Sequence, residues 1–214
     1  MQVAGWVPGL SGVTAKAVTS KYDGAFQRVV KKVKQRAASV SKSSAALEKL
    51  LKQVLDLPKE ERHEFVLRNP SVVDRRIVWK LLEESASRVL EDPWEGEEVA
   101  RLALEVAQRI DPSRLPAFMI FDLQCRAWVE IGRAKLLQGD LRGSSLVLQG
   151  AELLVRGGTG DASTLAFLLH AKADLFELRG ESDLAARARF EAGTRRGPGL
   201  TPTCDPSDEK EQVG

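Results

Sequence analysis

Between Gly24 and Gly96 the chain contains no glycine, and only Pro58, Pro70 and Pro93 punctuate the interval. Strands joined by tight hairpins call on glycine for the positive φ of their turns, so so long a glycine-free run points to helices joined by short connections. The apolar spacing agrees. Tyr22, Phe26, Val29, Val30, Val33, Ala37 and Val40 recur at three- and four-residue steps, with Arg28, Lys31, Lys32, Lys34 and Arg36 on the other face. After Ser39, Ser41, Ser43 and Ser44, a second stripe of Leu47, Leu50, Leu51, Val54 and Leu55 is predicted to end near Leu57. Pro58 suits the first turn of a short helix with Glu60 and Glu61 at its positive end, closing at Asn69 and Pro70.

From Ser71 the pattern becomes pairs of helices. Val72, Val73, Ile77, Val78, Leu81, Leu82 and Val89 predict one helix, Asp92 to Gly96 a turn, and Val99, Leu102, Leu104, Val106 and Ile110 the next. Further helices are expected over about Ser113–Gln138, Leu141–Val155, Asp161–Leu178 and Ser182–Ala192. No region sustains the alternation of a half-buried strand, so the predicted fold class is all-α.

Composition narrows the function classes. A chain of 214 residues with 43% hydrophobic content supports a core without disulfides or a structural metal. Cys125 lies in an apolar helical pattern and Cys204 in a polar tail, which fits a reducing cytoplasm. No apolar run approaches the roughly 18 residues of a membrane span, and Met1 to Ser20, broken by Gly5, Pro8, Gly9 and Gly12, makes a poor signal peptide. The net charge of +2 hides a segregation. Residues 1–44 carry eight basic residues against Asp23 alone, whereas 201–214 carry Lys210 against four acids. The expected organisation is a basic, partly disordered N-terminal arm (1–44), a helical domain (45–193) and a disordered acidic tail (194–214).

The helical domain repeats itself. Trp128, Ile131, Gly132, Gly139, Ser144, Leu148 and Ala151 recur in phase as Leu169, Ala173, Phe176, Gly180, Ala185 and Ala192, about 41 residues later because Arg156 to Asp161 lengthens the connection. Small residues in fixed register let two helices cross closely, and a glycine permits the tight turn between them. A fainter copy lies upstream in Ala100, Leu104, Ala107 and Pro112, with Trp79 and Leu82 imitating the opening Trp and Leu. This pattern resembles the tetratricopeptide repeat over residues 71–193, clearest at 71–112, 125–158 and 166–193. It departs from that family at Glu83, where a small residue is expected, at Lys135 in place of Tyr, and at Arg156 and Gly197 in place of the closing Pro. The layout of 45–193 is also similar to helical-repeat regions of uncharacterised bacterial proteins.

The resemblance implies helical hairpins stacked into a short right-handed superhelix whose concave groove is lined by the first helix of each pair. It implies groove positions at Arg126, Val129, Arg133 and Leu136, with Glu130 beside them, and at Phe167, His170, Asp174 and Glu177. Arg126 and Arg133, seven residues apart on one helix, project in nearly the same direction; they either grip a carboxylate or merely bracket Glu130 as surface ion pairs.

Catalytic readings are thinner. His170 and Asp174 stand at the spacing of an oriented general base, but no nucleophile or second acid joins them by sequence, and a surface pair is the plainer reading. His63 and Glu64 open a zincin-like pattern that fails at Leu67, where the second histidine belongs. Gly157, Gly158 and Gly160 lack the Lys and Ser or Thr of a phosphate loop. No metal, cofactor or catalytic residue is therefore expected.

The basic helix at 21–42 has three readings: a cap on the bundle, a nucleic-acid contact through Lys31, Lys32, Lys34 and Arg36, or a helix lying on an anionic membrane. The leading expectation is a non-enzymatic, cytoplasmic interaction module that binds a protein or peptide in its groove, with self-association open to it. The alternative is a nucleic-acid-associated regulator using the basic helix.

Overall fold

A computed structural model describes residues 28–32 and 45–195. The chain divides into two units, Met1–Glu48 and Lys49–Gly214. In the first, 28–32 is helical with Arg28, Val29, Lys31 and Lys32 exposed. Lys34, Arg36 and nearly all of the acidic tail lie outside the described residues, as do most of the arm and the full extent of the 21–42 helix. A helix α1 spans 45–56. The second unit continues with α2 (Lys59–Arg68), a 3-10 turn (Pro70–Val72), α3 (Arg75–Arg88), α4 (Pro93–Gln108), α5 (Ala117–Leu137), α6 (Leu141–Gly157), α7 (Ala162–Leu178) and α8 (Ser182–Arg195). Every regular element among the described residues is helical, as the sequence predicts, and no helix there is long and apolar enough to cross a membrane.

Successive helices pack on one another from α3 to α8, and α5 also touches both α3 and α7. The first members of the pairs thus lie side by side. The core is distributed along the stack: Ala100 and Leu104 of α4 meet Trp128 and Ile131 of α5 and Val147 of α6. Cys125, Val129 and Leu136 of α5 join Leu148 and Ala151 of α6 and Leu168, Ala171 and Leu175 of α7. Ala166 and Leu169 of α7 close on Ala192 of α8.

Two of the pairs are built alike. Gly139 and Gly180 take φ of 81° and 77°, a region that side chains with a Cβ rarely enter. Each ends its helix with the same double bond: Gly139 N–H donates to Leu136 O and Asp140 N–H to Lys135 O, as Gly180 N–H does to Glu177 O and Glu181 N–H to Phe176 O. Ser144 and Ala185 are both buried at the start of the following helix, and Ala151 and Ala192 two turns on. Ser144 Oγ has no hydrogen-bond partner, so its small volume rather than its hydroxyl is what this crossing uses.

The first pair departs from this scheme and from the sequence reading. Val72 and Val73 precede α3 rather than opening it, because Asp74 caps the helix by accepting from Arg76 N–H. Pro93 to Gly96 form the first turn of α4 instead of a loop; Asp92 caps that helix, accepting from Trp94 N–H and Glu95 N–H. The long helix starts at Ala117 and not Ser113, since Asp111 folds 111–115 into a separate turn by accepting from Ser113 and Arg114 N–H. Trp79 does not imitate Trp128, which packs between α4 and α6; it is 40% exposed, and Glu83 is exposed as well. The close approach falls instead at Gly96, where an added Cβ would lie 2.7 Å from the Cα of Val89, and Ser85 Oγ donates to Gly96 O at 2.8 Å.

A charge cluster fastens α2 to the stack. Glu95, 9% exposed, receives Arg62 Nη1 at 2.6 Å, Arg88 Nη1 at 2.8 Å and Lys59 Nζ at 2.8 Å. Arg62 also donates to the carbonyls of Leu55 and Leu57, tying in the end of α1. Burial disfavours the Glu95 charge, yet the hydrogen bonds from Lys59 and Arg62 and the Coulomb attraction of both outweigh it and lower its pKa from 4.5 to about 2. A depressed carboxylate stabilises the fold above its unfolded pKa and loses that contribution as pH falls through the folded value. Glu95→Gln is therefore expected to cost about 2–3 kcal/mol at pH 7, with a difference from wild type that shrinks between about pH 5 and pH 2 in urea titrations.

The crossings yield a second expectation. At Gly132 an added Cβ meets the buried side chain of Leu148, 2.8 Å from Cδ2 and 2.9 Å from Cγ; at Gly96 it meets backbone. Alanine gains about 1 kcal/mol of helix propensity at both sites. In thermal melts Gly132→Ala should thus lose less than Gly96→Ala, which loses at least about 1 kcal/mol, and Gly132→Leu more than either through overpacking.

Candidate functional site

The side-by-side helices α3, α5 and α7 assemble a ladder of rings and guanidinium groups. Arg126 of α5 stands 4.6 Å from the centroid of Trp79 on α3 and 5.9 Å from that of Phe167 on α7. Arg133, two turns along α5, lies 5.8 Å from the same Phe167 ring. Beside Trp79 and Arg126 is a cavity of about 220 Å³, walled also by Leu115, Met119, Asp122 and Leu123.

Arg126 is held from several directions. Its Nε donates to Thr164 Oγ1 at 3.0 Å, and its Nη2 to Ser163 Oγ at 2.9 Å and Asp161 Oδ2 at 3.3 Å. Asp161 in turn caps α7, accepting from Ser163 N–H and Thr164 N–H, so one carboxylate serves both the helix end and the arginine. The loop before it is pinned to α5 where Asp122 accepts from Thr159 N–H at 3.2 Å and from its Oγ1 at 2.5 Å. Burial raises the energy of the Asp161 carboxylate, but its bonds from Thr164 and Ser163 and the charge of Arg126 prevail and lower its pKa.

Arg133 is 36% exposed and pairs with Glu130 at 3.3 Å. Glu130 is buried, which pushes its carboxyl above the usual carboxylate range despite the opposing pull of Arg133 and Arg126. Of the positions expected in the groove, Val129 and Leu136 are buried in the core cluster between α5, α6 and α7, and Glu130 is enclosed rather than presented. Phe167 is half-buried between the two arginines, and His170 is half-buried on α7. Asp174 and Glu177 are exposed and converge on Arg189 of α8, Asp174 at 3.6 Å and Glu177 in closer contact. The expected residues thus separate into an Arg126–Phe167–Arg133–Glu130 group and an Asp174–Glu177 group bound to Arg189.

Sequence reasoning missed Trp79, Asp161 and Thr164 as members of this site. Asp161 carried a usable signal, an Asp followed by Ser and Thr at a helix start; Trp79 carried none, because its partner lies on another hairpin. Cys125 is enclosed and burial pushes its thiol up to about 12, the behaviour of an inert packing residue. Among the described residues no group of three or more His, Cys, Asp or Glu side chains is placed to hold a metal ion. No family model, curated protein or solved structure matches the chain.

The two arginines differ in what they hold together. Arg126→Glu breaks three bonds to α7 and sets two carboxylates against each other, so it should cost about 2 kcal/mol or more by chemical denaturation. Removing the guanidinium of Arg133 while keeping a neutral chain, Arg133→Gln, should shift stability by no more than about 1 kcal/mol.

Proposed function

We propose that residues 45–193 are a short right-handed solenoid of tetratricopeptide-like hairpins that acts without catalysis, binding a protein or peptide on the face shared by α3, α5 and α7. The observation that carries this reading is the ladder of Trp79, Arg126, Phe167 and Arg133 across three helices, its ends 40% and 36% exposed. Half-exposed tryptophan and arginine on a rigid support are the residue types that dominate binding energy at interfaces. Arg126 is engaged by Asp161 and serves as a fixed plate under Trp79. Arg133, whose one ion-pair partner among the described residues is below the surface, offers its outer edge to a carboxylate. The buried, unpaired Cys125 fits a reducing cytoplasm.

Panning a random peptide display library on the purified chain tests this. Enriched peptides are expected to weaken by about tenfold or more on Trp79→Ala and on Arg133→Gln, with melting temperatures held. A library that yields no enriched sequences, or peptides indifferent to both changes, defeats the reading.

A second reading, association with nucleic acid through the basic helix, draws on the exposed Lys31 and Lys32 of helical residues 28–32. It requires affinity for duplex DNA that falls steeply with salt and disappears when Lys31, Lys32, Lys34 and Arg36 are neutralised.

A further inference from the structure

Adjoining the cavity beside the ladder, with which it shares Arg75 and Leu115, the start of α3 with the segment before it and the α4–α5 connection line a cleft of about 840 Å³. Its walls bring together Arg75, Arg76, Arg109 and Arg114 with Asp74 and Asp111. Four guanidinium groups from two separate stretches of chain face two carboxylates, and both carboxylates are already engaged. Asp74 accepts from Arg76 N–H at 2.8 Å and from its guanidinium at 3.1 and 2.9 Å, and Asp111 accepts from Ser113 N–H at 2.8 Å. These bonds hold both acids below their usual range, so they stay charged but turned to their own turns. Arg109 donates to the carbonyls of Val66 at 2.5 Å and Leu67 at 2.9 Å, which fixes it against the end of α2. The guanidinium groups of Arg75 and Arg114 make no direct hydrogen bond among the described residues, although the charge of Arg75 acts on Asp74 and that of Arg114 on Asp111.

We propose that this cleft binds a small phosphate ester, with Arg75 and Arg114 as its principal phosphate ligands. Four cations drawn into one concavity repel each other; Asp74 and Asp111 lie near enough to feel Arg75 and Arg114 and offset part of that repulsion, and the surplus of positive charge on the walls is what an anion would neutralise. Guanidinium forks match phosphate oxygens two at a time, and a phosphate has enough acceptors for forks arriving from different sides, where a lone carboxylate is satisfied by one. The volume lies within the range of small-molecule sites. Asp74 and Asp111 on the same walls oppose a continuous polyphosphate backbone, which favours a compact ligand over a nucleic acid strand.

The test is calorimetric titration of the full chain at constant ionic strength with inorganic phosphate, pyrophosphate, AMP, sulfate and a phosphoserine peptide. Arg75→Gln/Arg114→Gln is compared with Arg142→Gln/Arg187→Gln, which removes the same charge from exposed arginines outside the cleft. Both pairs are checked by thermal melting, and the single Arg114→Gln serves if the first pair does not fold. AMP or pyrophosphate is expected to bind more tightly than sulfate and to weaken about tenfold or more in the cleft variant alone. The proposal is overturned by the absence of binding near physiological salt, by equal loss in the control pair, by sulfate matching the phosphates, or by binding confined to the phosphopeptide. The last outcome would make the cleft a protein-docking site.

Discussion

Close helix crossing at small residues is the constraint on which this architecture depends. α5 and α6 approach until Leu148 fills the space where Gly132 has no side chain, and α3 and α4 until Gly96 lies against the backbone of Val89. Dispersion contacts fall off over a fraction of an ångström, so a pair held this close packs densely where one side of the contact is a glycine. The larger residues are then released to the flanks. Leu168 and Leu175 of α7 reach back to Cys125, Val129 and Leu136 of α5, and Ile131 and Trp128 reach across to α4. One helix thereby serves two cores, and α5 becomes the member through which α3 and α7 are brought onto a common face.

Aspartates fix where the helices begin, and one of them also builds the site. Asp74, Asp92, Asp140 and Asp161 each cap a helix by accepting from its first N–H groups. Only Asp161 receives an arginine from a different hairpin as well. A carboxylate satisfied by two amides and a hydroxyl has little freedom, so the guanidinium of Arg126 is immobilised by the same bonds that start α7, and the Trp79 ring rests against a fixed cation. The ladder is thus preorganised by helix capping rather than by packing alone.

Much of this was legible in the sequence where a residue has only one physical use. Gly139 and Gly180 could be placed because positive φ is nearly glycine's alone, and Ala151 and Ala192 because a repeating small residue in an apolar stripe has little purpose except a crossing. The reading failed where a residue has two uses. Pro93 and Gly96 break chains in most contexts, yet Pro93 opens α4 and Gly96 is a contact point inside it. Val72 and Val73 fit the apolar period of α3, but the side chain of Asp74 decides where that helix starts. Periodicity also gives a helix a buried face without saying which neighbour covers it, and for that reason Trp79 was matched to Trp128 although it lies over Arg126. The same limit hid the division between Asp174 and Glu177, taken by Arg189, and the residues around Phe167.

Sequence placed Arg126 and Arg133 on one side of one helix as equals; their surroundings make them unequal. Arg126 retains 17% of its side-chain exposure and has partners at both Nε and Nη2, so its charge is largely spent within the fold. Glu130 sits in low dielectric, where holding its charge is costly, and Arg133 with Arg126 offsets only part of that cost. The pair therefore fixes the inner side of the Arg133 guanidinium and leaves the outer side to solvent. An anion arriving there would meet an oriented cation without having to displace the buried glutamate, so the proposed recognition draws its charge from Arg133 and its apolar contact from Trp79, with Arg126 as the support between them.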